Sequence, residues 1–213
     1  MSQDERYNIT HLLTTINAEY DRIFMHGIRE ELLNAQAKRI GIPLKKVKLP
    51  SSPNDSLYKE AMQTTLEELK KQGVTAAAYG DIFLEDLKVY REQQLESIGI
   101  KGVFPLWKKD TKELVKQFEE TGIEAIIVCV SEKYLGKDFL GRKINAELLN
   151  DLPKNVDSCG ENGEFHTFVY NAPFFSSPIA VKQGEIVYKS YAPAGSSDKW
   201  DSGFHFLDLL PQP

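Results

Sequence analysis

Gly41, Gly73, Gly99 and Gly122 each close a stretch of helical periodicity, and each is followed within a few residues by a short apolar or β-branched run. This punctuation commits the chain to alternating strands and helices, because glycine ends a helix in the left-handed region at little steric cost. The spacing predicts strands over 9–15, 44–49, 74–79, 101–104 and 123–130. Helices are predicted over 25–40, from Asp55 or Ser56 to about 72, over 84–98 and over 110–121. Strands separated by helices at this interval specify a parallel sheet covered on both faces, the doubly wound α/β class. After Val130 the rhythm changes. A short helix is predicted over 142–149. Strands follow over 164–171, 179–183 and 185–191, the last two joined by a turn at Gln183-Gly184, with a final strand from Trp200 to Leu209. With 213 residues and 41% apolar content, the chain can bury one core plus a smaller companion. The expected division is an α/β domain over 1–130 and a smaller α+β region over 131–213.

Charge narrows the function. The formal net charge is -5, from 26 basic and 31 acidic side chains, which argues against a surface built to neutralise a nucleic-acid backbone. No apolar run reaches the length needed to cross a bilayer, and Met1 to Tyr7 is too polar for a signal peptide, so a cytoplasmic protein is expected. Cys129 and Cys159 lack the paired spacing of a zinc site or a disulfide framework. Cys129 reads as core and Cys159 as a bystander to the acidic stretch beside it.

That stretch, Gly160 to Thr167, reads Gly-Glu-Asn-Gly-Glu-Phe-His-Thr. Asn162-Gly163 signals a tight turn, since both residues tolerate positive φ. Period-two alternation then places Glu164 and His166 on one strand face with Phe168, and Phe165, Thr167 and Val169 on the other. Two carboxylates, an amide and an imidazole around one bend suit the holding of an amine, an ammonium ion or a metal. A solvated hairpin is the bland alternative. Elsewhere, Gly80-Asp81 stands at the carboxyl end of strand 74–79, where open parallel sheets bind ligands. Asp81 there can meet a ribose hydroxyl or a magnesium-bound water, or simply cap the next helix. Arg91 on that helix can grip a phosphate or pair with Glu92 or Glu96. Thr14 and Thr15 end a strand. His26 and Arg29 open a helix on nearly one face, where an anion can sit or where they serve only as cap and solvated side chain. Trp107 and Trp200 read as packing residues, and His11 and His205 as ordinary strand histidines.

Taken together, Gly160–Thr167, the run Tyr79-Gly80-Asp81-Ile82 through Leu84-Glu85-Asp86 to Tyr90-Arg91-Glu92, and His26-Gly27-Ile28-Arg29 after Leu13-Thr14-Thr15 resemble the diphthine-ammonia ligase family of ATP pyrophosphatases. The three matches stand in the family's order. The resemblance implies an adenine nucleotide alpha hydrolase-like fold. It also implies a reaction in which ATP, with Mg2+, adenylates a carboxylate and ammonia displaces AMP to leave an amide. In the family that carboxylate belongs to diphthine on a translation elongation factor. Carried over residue by residue, Glu161, Glu164 and His166 become catalytic, Asn162, Gly163, His26 and Arg29 substrate-binding, and Thr14, Gly80, Asp81 and Arg91 nucleotide-binding. Glu161, Glu164 and His166 are then expected to meet the Gly80-Asp81 strand end in one cleft.

One departure is large. The family's phosphate loop, Ser-Gly-Gly-Lys-Asp-Ser, is absent, and Gly136-Lys137-Asp138 does not replace it, lacking the Ser-Gly before and the Ser after. Met1 to Tyr7 reads as the end of the helix that follows that loop, so two alternatives are open: Met1 is an internal methionine taken as a start, or the loop is genuinely lost. The sheet is then expected to lack its first strand, between strands 9–15 and 74–79, so that these two move together, another segment or another copy in a homo-oligomer fills the gap, or the chain is poorly stable. Weak nucleotide binding and slow pyrophosphate release are expected to follow. Two alternatives stand beside the ligase: a non-catalytic binding protein derived from the family, and a metal-dependent hydrolase using Glu161, Glu164 and His166.

Overall fold

The computed structural model describes residues 1, 4–51, 54–190 and 203–212. Its elements in chain order are β1 (Leu12–Asn17), β2 (Arg22–Ile23), α1 (Glu30–Ile40), β3 (Leu44–Leu49), α2 (Asp55–Lys71), β4 (Ala76–Ala78), α3 (Glu85–Ser97), β5 (Lys101–Val103), α4 (Thr111–Glu120), β6 (Glu124–Ser131), a 3-10 turn at Lys137–Phe139, α5 (Ala146–Asp151), β7 (Phe165–Asn171), β8 (Val181–Ser190) and β9 (Gly203–Pro211). The contacts gather into two compact units, one of residues 1–20 and 42–109, the other of residues 21–41 and 110–213. The break expected at 130 therefore falls at 110, and the segment 21–41 joins the later unit. Asp4 to Tyr7 forms a turn, closed by Tyr7 N donating to Asp4 O, where a helix end was expected.

In the first unit β1 pairs in parallel with β3 from Leu12↔Leu44 to Asn17↔Leu49, and β4 pairs in parallel with β5 from Ala76↔Lys101 to Ala78↔Val103. This is the expected mixed α/β, adenine nucleotide alpha hydrolase-like character. Leu66 of α2 packs with Leu95, Ile98 and Ile100, and with Leu13, Ala77 and Tyr79 beside them. Asn54, not Asp55 or Ser56, caps α2, its side-chain oxygen accepting from Leu57 N at 2.8 Å. Gly41 ends α1 at φ 76° with its N–H on Ala37 O. Between β1 and β4 lies a groove of about 770 Å³, walled by residues 9–15 and 73–79 and floored by Tyr58, Met62, Leu66 and Leu69 of α2. Among the described residues β4 pairs with β5 alone.

The second unit is an antiparallel sheet of order β7-β6-β9-β8. β6 was expected as the last parallel strand; it runs antiparallel to both β7 and β9. Its continuous apolar run reports that both faces are covered, not which way the neighbours point. One face carries Ile126 and Val128 with Phe168, Leu207, Leu209 and the α1-side residues Ile28 and Leu32, and the other carries Ile127 and Val130 with Leu135, Leu148, Val156 and Phe165. The turn expected at Gln183-Gly184 is instead a bulge within β8, where the register steps from Gln183↔Leu209 to Ile186↔Leu207. The last strand starts at Gly203, and Trp200 lies outside the described residues.

Candidate functional site

Loop 157–164 is held from within. Gly160 and Gly163 take φ values of 71° and 82°, and a Cβ on Gly160 would stand 2.7 Å from the Phe165 carbonyl oxygen, so that position admits only glycine. The bend directs Glu164 inward, where its side chain is 1% exposed. Its Oε1 accepts from Asp157 N and Asn162 Nδ2, and its Oε2 from Asn162 N, each at 2.9 Å. A carboxylate with both oxygens occupied by its own loop shapes that loop. Asp157 completes the bend by accepting from Cys159 N and Glu161 N at 2.9 and 3.1 Å. Glu161 is half-buried and Asn162 exposed. The nearby Cys159 thiol is pushed up to about 12, by burial first and then by Asp157, Glu161 and Asp110, so it is protonated and unreactive at neutral pH.

From this loop β7 sets out, and His166 meets His26, with ring centroids 4.6 Å apart and planes inclined by 39°. The two histidines lie 140 positions apart in the chain and were read as members of separate motifs. His26 Nδ1 donates to Thr167 O at 3.3 Å, which fixes its tautomer. His166 Nε2 is buried with no hydrogen-bond partner. Burial lowers both pKa values, and the neighbouring His26 adds to the effect on His166, whose value falls to about 3. Both rings are therefore neutral at pH 7. In the tautomer that carries its proton on Nδ1, His166 leaves one buried nitrogen able to accept an N–H.

The turn that carries His26 is fastened by charge. Arg29 donates to both Asp208 oxygens at 3.0 and 2.6 Å, and Arg22 Nη1 donates to Asp208 Oδ1 at 2.9 Å and to Gly27 O at 2.7 Å. Burial raises the Asp208 pKa, but the hydrogen bonds from Arg29 and Arg22 outweigh it and hold the carboxyl below its usual range. Gly27 has φ 68°, and a Cβ there would come within 2.7 Å of Phe206 Cδ1. Arg29, expected to bind substrate, is thus committed to an ion pair that holds the turn. Gln36 Nε2 of α1 donates to Val169 O of β7 at 2.7 Å, fixing the same assembly farther along.

In the first unit Thr14 and Arg91 both line the groove, with Tyr79. Arg91 Nε stands 2.8 Å from Asp81 Oδ2, an ion pair not aligned as a hydrogen bond, and its guanidinium lies 4.3 Å from the Tyr79 ring centroid. Asp81 is 8% exposed and does not cap α3, whose N-cap is Leu84. Gly80 is exposed. Among the described residues no group of three His, Cys, Asp or Glu is placed to hold a metal ion, and no helix is long and apolar enough to cross a membrane.

Sequence reading passed over Arg22, Asp157 and Asp208. For Asp208 a signal existed, since one carboxylate inside the apolar run Phe-His-Phe-Leu-Asp-Leu-Leu requires a partner. Asp157 ahead of Ser-Cys-Gly carries the signature of a side chain folding back on its own turn. Arg22 had none.

Residues 2–102 match the family model of the diphthamide synthase N-terminal domain and residues 110–195 that of the diphthamide synthase C-terminal domain. The chain belongs to the diphthine-ammonia ligase family. Its similarity to the diphthine–ammonia ligase of Danio rerio is 24% identity over 196 residues, covering 83% of this chain and 76% of that one. The corresponding proteins of Bos taurus and Homo sapiens are 24% and 23% identical over 187 residues, covering 81% of this chain and 70% of theirs. The two family domains meet between 102 and 110, where the contacts also divide.

Proposed function

We propose that the second unit holds the amide-forming site of an ATP-dependent amidoligase, with ammonia as nitrogen donor and a diphthine-like carboxylate as acceptor. The observation that carries this reading is the His26–His166 pair beside loop 157–164. ATP supplies the leaving group by adenylating the carboxylate, and ammonia then displaces AMP. The free Nε2 of His166, neutral at pH 7, accepts an N–H from the incoming nitrogen, while His26 fixes the ring beside it. Glu161 and Asn162 line the approach, and Glu164, with Gly163 at the turn, holds the loop in shape. On the nucleotide side, Thr14 and Arg91 fit an adenine nucleotide in the groove, whose volume is that of an ordinary ligand pocket. Gly80 and Asp81 stand at the same strand end.

The reading includes slow turnover by these 213 residues alone. A phosphate loop offers converging backbone N–H groups that no segment of this sequence supplies. A second reading, a nucleotide-binding protein without turnover, is favoured by the open groove beside β1. Pyrophosphate release with ATP, magnesium and ammonium, compared between this chain and one extended upstream through a Ser-Gly-Gly-x-Asp-Ser segment, tests both. Turnover in the extended form that falls about 100-fold in His166→Gln, with nucleotide binding intact, is the expected result. Full ammonia-dependent turnover in that variant would remove the assigned role of His166. Nucleotide binding without turnover in either form would favour the second reading.

A further inference from the structure

Asn-Gly occurs once in this chain, at Asn162-Gly163, and it stands at the bend of loop 157–164. The dipeptide is chemically labile, because glycine has no side chain to shield its nitrogen from the asparagine before it. The Gly163 nitrogen can attack Asn162 Cγ and close a cyclic succinimide, the side-chain amide nitrogen leaving with the Gly163 proton as ammonia. Water then opens one of the two ring carbonyls, which leaves aspartate or isoaspartate at 162 and adds a negative charge. Water is the only other reactant. Asn162 is exposed, so water reaches it.

The fold restrains both reacting groups. The Gly163 N–H donates to Gly160 O at 3.0 Å, so the attacking nitrogen is occupied. Asn162 Nδ2 donates to Glu164 Oε1 and the Asn162 N–H to Glu164 Oε2, each at 2.9 Å, so one carboxylate grips this residue by backbone and side chain together. Its charge also opposes the anionic species on the reaction path, a deprotonated Gly163 amide and an oxyanion at Asn162 Cγ. Conversion would undo the grip. An aspartate at 162 sets a second carboxylate against Oε1 and offers it no N–H, while Glu164, 1% exposed, has no solvent to turn to. Isoaspartate goes further, adding a methylene to the main chain between Gly160 and Glu164.

We propose that Asn162 is a built-in deamidation site, that Glu164 holds it in check in the folded loop, and that its conversion to aspartate or isoaspartate opens that loop. Incubation of the full chain at mildly alkaline pH, followed by peptide mass spectrometry that separates the two products, reads the rate at Asn162. The urea-unfolded chain supplies the unprotected rate. Folded wild type should react about tenfold more slowly than that or slower still, since reaction waits for local opening. Glu164→Gln keeps the size of the side chain but removes its charge, and should react about tenfold faster than wild type with far-UV circular dichroism unchanged. Asn162→Asp, which installs one product, should lower the midpoint of urea unfolding more than Asn162→Ala, which loses the same donor without adding charge. A folded wild type that reacts as fast as the unfolded chain overturns the inference. So does a folded Glu164→Gln that reacts no faster than wild type, or an Asn162→Asp as stable as Asn162→Ala. Should Glu164→Gln fail to fold, the wild-type rates and the two Asn162 variants decide the matter.

Discussion

The two units use strands of similar composition to different ends. In the first unit, β4 is paired on one side among the described residues and borders a groove lined by Leu12, Leu13, Ala76 and Ala77. In the second, the polar groups at the functional end, His166 Nε2 apart, have partners: Glu164 receives three donors, Asp208 receives two arginines, and carbonyls of β7 are taken by His26 and Gln36. A site is rigid where its polar groups are satisfied from within and adaptable where backbone edges stand open. In the proposed function, amide formation falls to the rigid unit and nucleotide binding to the one that holds the groove.

Four measurements break or sharpen this contrast. Glu164→Ala leaves the part-buried Asp157 and Asn162 N–H groups without their acceptor and vacates a buried site, and should cost about 2–3 kcal/mol of stability, read from urea unfolding. A loss below about 1 kcal/mol would mean that the loop does not depend on this carboxylate. Asp208→Asn separates two arginines from their shared partner. Their side chains are 30% and 35% exposed, so solvent screening reduces the loss to about 1–2 kcal/mol. The His26–His166 contact should loosen with it, visible as a rise in the His166 pKa by NMR.

The third measurement is pH dependence. The folded-state pKa of His166, about 3, lies below its unfolded value near 6.5, so between these limits the unfolded chain binds more protons. Stability contributed by the neutral ring is fully present above about pH 6.5 and is lost as pH falls toward 3, at up to about 1.4 kcal/mol per pH unit. His26 contributes in the same direction. His166→Phe should flatten the acid limb, whereas an unchanged limb would assign it to carboxylates such as Asp208, whose lowered pKa acts with the same sign. The last measurement belongs to the first unit. Arg91→Ala removes a part-buried ion pair, its side chains 26% and 11% exposed, and a stacked cation, and should cost about 1–2 kcal/mol. A cost as large as that of Glu164→Ala would erase the distinction between the units.

Much of this molecule is written in its sequence. The glycine stops locate the helices, the apolar runs locate the strands within a few residues, and Asn162-Gly163 announces the bend before β7. The three family-like motifs were legible in the same way, because each rests on local pattern and order. Tertiary structure decided the rest. β6 advertises burial on both faces without naming its neighbours, and it became the centre of an antiparallel sheet. The amphipathic α1 shows a face to be buried, yet only folding placed Leu32 with the second core and Gln36 on β7. His26 and His166 share no local pattern, and they meet because an arginine–aspartate clamp and a glycine at positive φ set the turn against β9. Periodicity fixes which side of an element turns inward, but which element it meets is settled by packing between residues far apart in the chain.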